Sequence, residues 1–133
     1  MRFMRARGML GATAAAAALV CLAGTPSYAD SHSLQTDDGD PGGKVTFETY
    51  GDVVTARDQE ADGWAVKVWV YNPNGSVRYT LQASGNGDTA TARASDGGSH
   101  DLAENTTYKF RVCLHRSTVE AAYCDEAAWL NAN

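Results

Sequence analysis

From Lys44 onward the chain alternates apolar and polar residues in short runs separated by turn signals, with no sustained helical period. Val45 and Phe47 alternate with Lys44, Thr46 and Glu48, and Gly51-Asp52 turns the chain. Val53 to Ala56 reads as a short β-branched strand. The strongest run is Trp64 to Tyr71, with Val66, Val68 and Val70 on one face and Lys67, Trp69 and Tyr71 on the other. Asn72-Pro73-Asn74-Gly75 follows as a turn, since Pro presets entry and Gly tolerates positive φ. Val77, Tyr79 and Leu81 alternate next. Thr89 to Ala94 offers only alanines to a core and is the most loop-like of the runs. Thr107 to His115 alternates again with Tyr108, Phe110, Val112 and Leu114 inward, and a last segment carries Tyr123, Cys124 and Trp129. About seven short strands at this spacing predict an all-β sandwich, with a closed barrel as the competing architecture.

Leu102 stands six residues before Tyr108, which opens the sixth strand. That arrangement resembles the tyrosine corner of fibronectin type III and related sandwiches, in which the phenol bonds back to upstream backbone. The pair Leu102 and Tyr108 therefore points to an immunoglobulin/fibronectin-like sandwich.

The segment before Lys44 divides in two. Residues 1–29 combine Arg2, Arg5 and Arg7, an apolar block from Met9 to Gly24, and small residues at Ser27 and Ala29, the pattern of a secretory signal peptide cleaved after Ala29. The apolar run is short of a bilayer span, so no stable membrane insertion is expected after cleavage. Bulky Val20 before Cys21 disfavours a lipoprotein site. Residues 30–43, "DSHSLQTDDGDPGG", hold one large apolar side chain, Leu34, and read as a flexible acidic leader. The sandwich is then expected over residues 44–133.

Export changes the charge. Three of the 11 basic residues leave with the signal and all 16 acidic ones stay, so the exported chain has a net charge of −8. Such an anion is repelled by nucleic acid and by anionic membranes, which excludes both as expected partners. Cys113 and Cys124 alone remain, and in an oxidising compartment they are read as a disulfide. Setting them opposite each other places Arg111 opposite Glu126 and Leu114 opposite Tyr123. It also turns Asp125 inward against Val112, so a bulge after Cys124 or an end to regular pairing is expected there.

The run Asp58-x-Glu60-x-Asp62-Gly63 opens like a calcium loop, but the twelfth position, where a bidentate acid is required, is Trp69. A turn in which Asp58 and Asp62 bond local backbone amides explains the residues better, and no metal or cofactor is expected. Neither a G-x-S-x-G elbow nor an H-E-x-x-H pair is present. His32 lies in the leader and His100 in a turn.

Strand parity supplies the candidate surface. If the third and sixth strands are neighbours, Lys67, Trp69 and Tyr71 face outward beside Lys109, Arg111 and His115, an aromatic and basic patch on an acidic protein. The opposing expectation is that the last segment or the leader covers Trp69 and Tyr71.

The signal peptide, the Asp58-x-x-Ala61-Asp62-Gly63 strand turn and the late two-cysteine hairpin followed by Trp129 resemble a group of small secreted actinobacterial β-sandwich proteins. That resemblance implies fold and export and brings no activity with it. Three functions stay open: a non-enzymatic monomeric module binding an extracellular protein or surface polymer, an inhibitor of a secreted hydrolase acting through the Ser117–Ala122 hairpin tip, and a small hydrolase with converging loop acids.

Overall fold

The computed structural model describes residues 30–132, so the expected signal peptide lies outside the described residues. The described residues form eight strands: β1 (Ser31–Gln35), β2 (Gly43–Glu48), β3 (Val53–Asp58), β4 (Ala65–Tyr71), β5 (Val77–Ala83), β6 (Thr89–Ala92), β7 (Thr106–Arg116) and β8 (Val119–Asn131). Two short 3₁₀ turns, Ala94–Asp96 and Gly98–His100, lie between β6 and β7. The strands make two antiparallel sheets, ordered β1-β2-β3-β6 and β5-β4-β7-β8. The all-β sandwich that the alternation predicts is the fold, and the weak Thr89 run is a real strand, β6.

The inner faces follow parity. Val45, Phe47, Val54, Ala56 and Ala92 of one sheet meet Val66, Val68, Val70, Tyr79, Phe110, Val112 and Leu114 of the other, all buried. Each buried Val, Leu or Phe among them stabilises by about 1.5–3 kcal/mol relative to exposure. Phe47 and Phe110 stack across the gap with centroids 4.8 Å apart. Close approach of the sheets accounts for Gly43, where an added Cβ would lie 2.8 Å from a methyl of Val66.

One end of the sandwich is closed by a polar lock. The Tyr108 hydroxyl accepts the Ala103 N–H at 2.8 Å, with Tyr108 and Leu102 both buried. Beside it the buried Asp52 carboxylate accepts the Leu102 N–H at 2.8 Å and the Asn131 amide at 2.9 Å, tying the β2–β3 turn to the end of β8. Buried polar groups partnered in this way hold the crossover without leaving a donor stranded.

The leader is a correction. Ser31–Gln35, expected to be flexible, is β1, paired with β2 from Ser31↔Glu48 to Gln35↔Lys44, so the sandwich begins at Ser31 and not at Lys44. Two things hold it. The His32 ring stacks on Trp129 at 5.1 Å, acting as an aromatic and not as a polar residue. Thr36 is buried, its hydroxyl accepting the Gly43 N–H at 3.0 Å, while Asp38 accepts the Gly42 N–H at 3.0 Å. Ladder hydrogen bonds at a sheet edge leave no trace in hydropathy, which is why composition alone misleads here.

The Cys113–Cys124 disulfide joins β7 to β8. Arg111 does pair with Glu126 and Val112 with Asp125, but Leu114 pairs with Ala122 and not with Tyr123. Two residues, Tyr123 and Cys124, stand opposite Cys113, so the bulge precedes the cysteine instead of following it. Tyr123 is the extra residue, at φ 51° and more than half exposed. Asp125 escapes burial because β8 is the edge strand, where inward parity does not mean coverage.

Candidate binding face

β4 and β7 are the two central strands of their sheet, in the register Ala65↔His115, Lys67↔Cys113, Trp69↔Arg111 and Tyr71↔Lys109. Lys67, Trp69, Tyr71, Lys109, Arg111 and His115 therefore share the outer face, as alternation around the buried valines requires. The leader, as β1, joins the opposite sheet, and the last segment, as β8, lies beside β7 and not over it. Neither covers Trp69 or Tyr71.

Each ring on this face carries a cation. Lys67 Nζ lies 5.0 Å and the Arg111 guanidinium 5.4 Å from the Trp69 centroid, and Lys109 Nζ lies 4.5 Å from that of Tyr71. Cations at these distances are held by the ring quadrupole. The indole is consequently half-buried between basic stems, where the sequence pattern suggested a freely exposed ring. Arg111 also approaches the Cys124 sulfur at 3.4 Å, which seats the disulfide on this face beside Trp69.

β8 supplies counter-charges. Lys67 bonds Glu120 at 2.6 Å and Lys109 approaches Glu126 at 3.7 Å. The Lys67 ammonium holds the Glu120 carboxyl below the usual carboxylate range. The His115 ring contacts the Glu120 carbonyl at 2.8 Å. What the face presents is a strip of aromatic surface with alternating charge at its margin. At its far end a hollow of about 240 Å³ opens between Tyr71, Pro73, Thr107 and Lys109.

The acidic turn is placed as local bonding predicts. Asp58 is buried, accepting the Glu60 N–H at 3.2 Å and the Gly85 N–H at 2.9 Å, and Asp62 accepts the Trp64 N–H at 3.0 Å. Both oxygens of Asp58 are thus spent on backbone. Gly63 turns the chain at φ 76°. Among the described residues no group of His, Cys, Asp and Glu is arranged to hold a metal ion. Sequence reasoning did not find the cleft of about 830 Å³ that this turn forms with the β5–β6 and β7–β8 loops, where Arg116 stacks on Trp64 at 4.0 Å. Its residues come from three distant loops, and no spacing pattern links them.

No protein-family model matches the chain, and no curated protein does. Among solved structures it is similar to the crystal structure of an endonuclease/exonuclease/phosphatase from Beutenbergia cavernae DSM 12333, at 16% identity and a TM-score of 0.53. The match covers 75% of this chain and 27% of that one, so the chain spans about a quarter of that protein's length. At such identity the likeness concerns the fold alone. Fold and comparisons together define a small two-sheet all-β domain with an internal disulfide. No helix among the described residues is long and apolar enough to cross a membrane.

Proposed function

We propose that the protein is an exported, non-enzymatic binding module that engages an extracellular polymer or protein through the outer face of β4 and β7. The observation that carries this reading is the Trp69 ring flanked by Lys67 and Arg111 and followed on the same face by Tyr71 under Lys109. Aromatic and arginine side chains are the residue types that dominate binding energy at recognition surfaces. A disulfide suits an oxidising compartment. The solved neighbour carries a similar fold over about a quarter of a longer chain, in keeping with a modular use.

The catalytic reading is less well supported. Asp58, the most buried of the loop acids in the acidic turn, is occupied by two amides. The inhibitor reading would use the hairpin tip after Arg116, where Glu120 is already engaged by Lys67.

Retention on insoluble cell-wall material tests the proposal. The protein is expected to co-sediment, and Trp69→Ala to be left in the supernatant with its melting temperature nearly unchanged. Inhibition of a secreted protease on mixing, without retention on cell wall, would favour the inhibitor instead.

A further inference from the structure

The cleft at the β3–β4 end of the sandwich adjoins the binding face at His115 and has its own chemistry away from Trp69 and Tyr71. Its volume of about 830 Å³ falls in the range of small-molecule sites. Its walls are fixed from within. Asp58 holds Gly85 and Glu60 through its carboxylate, and its carbonyl accepts the Gly87 N–H at 2.7 Å, so two of the three loops are locked together. A site braced this way needs little ordering when a ligand enters.

The groups facing the cleft are of mixed kind. The Arg116 guanidinium lies over the Trp64 ring at 4.0 Å, Trp64 itself packs on the core, and none of the ion pairs among the described residues involves Arg116. Asn86 is exposed and its side-chain amide has no hydrogen bond within the described residues, while Asp62 uses one oxygen on the Trp64 N–H. Glu60, through its hydrogen bond to Asp40 and the nearby charges of Asp40, Asp62 and Asp38, is pushed up to about 7; its proton is committed to Asp40, and it offers a ligand an acceptor. The cleft thus has acceptors and donors, with carboxylates outnumbering the one guanidinium. A polyanion meets Asp62 and a polycation meets Arg116. A hydroxyl-rich ring meets neither obstacle, because each hydroxyl accepts from guanidinium or amide and donates to carboxylate.

We propose that this cleft is a saccharide-binding site, taking a neutral sugar unit among Asp62, Glu60, Arg116 and Asn86. The proposal makes no use of Trp69 or Tyr71 on the β4–β7 face. Its test is a titration of the ¹⁵N-labelled protein with two neutral probes, cellotetraose and the tetrasaccharide of N-acetylglucosamine, followed by amide shifts. At least one probe is expected to shift the amides of Gly63, Trp64, Gly85 and Arg116 with a dissociation constant of about 1–10 mM or tighter. Arg116→Ala and Asn86→Ala each remove an exposed side chain and should weaken this binding about tenfold with the rest of the spectrum unchanged. Trp69→Ala should leave the titration as it was. Absence of shifts at these amides with both probes at about 10 mM overturns the proposal. Shifts that survive both substitutions, or that fall only around Trp69 and Tyr71, overturn it equally.

Discussion

The two outer faces of this sandwich have the same strand number and the same antiparallel pairing, yet they are built from different residues. On the β1-β2-β3-β6 sheet the outward positions are Ser31, Ser33 and Gln35, then Lys44, Thr46 and Glu48, then Val53, Thr55 and Arg57, then Thr89 and Thr91. All but Val53 are hydrophilic, with Thr55 and Thr91 hydroxyls 3.2 Å apart, and no aromatic is among them. On the β5-β4-β7-β8 sheet the centre holds Trp69, Tyr71, three cations and a disulfide. Both sheets bury the same kind of inner face, so the fold does not require aromatics outside. The plain face shows what solvation alone demands, and the other face exceeds it, which is the physical basis for reading it as a surface with a partner.

The comparison breaks first if the inner faces prove to be the weak part. Phe110→Ala removes a ring stacked on Phe47 and tilted against Trp129 and should cost about 3–5 kcal/mol in urea unfolding, far more than any single outer-face change. Replacing Cys113 and Cys124 together by serine should lower stability by about 3 kcal/mol or less, the worth of closing a short loop. Before reduction, a thiol reagent should find no reactive cysteine among the two. Tyr108→Phe removes the acceptor of the Ala103 N–H and should cost about 0.5–1.5 kcal/mol.

The smallest effect is electrostatic and concerns the margin of the aromatic face. Glu120 is held below its ordinary value of 4.5 by the Lys67 hydrogen bond. A depressed carboxyl contributes stability that is present above the unfolded value and lost as pH falls through the lower folded value. Lys67→Met should therefore return the Glu120 titration, followed by carboxyl carbon shifts, to the ordinary carboxylate range. An unchanged titration would mean that the pair does not persist in solution.

How much of this was legible depended on whether a feature is carried by one strand or by several. The alternation of Val66, Val68 and Val70 fixes the outward set on β4 without reference to any other residue, and Tyr108 to Leu114 does the same on β7. The corner spacing of Leu102 and Tyr108 is also local, and the hydrogen bond from Ala103 lies where it predicts. β1 was hidden because its attachment comes from ladder hydrogen bonds and from a histidine that stacks as an aromatic. That the bulge falls at Tyr123, before Cys124 and not after it, was hidden because a left-handed backbone at this tyrosine carries no sequence signal. The cleft under Arg116 was hidden because its walls meet only after the sheets have closed.

The central claim is that the β4–β7 face, and not its counterpart, binds an extracellular partner. It is tested most directly by measuring retention on cell-wall material for Trp69→Ala and Thr55→Ala side by side, with urea unfolding of both. Binding should be lost in Trp69→Ala and kept in Thr55→Ala, with stabilities within about 1 kcal/mol of each other. If the two variants bind alike, or if Trp69→Ala unfolds the domain, the aromatic face is a structural cover and the claim is contradicted.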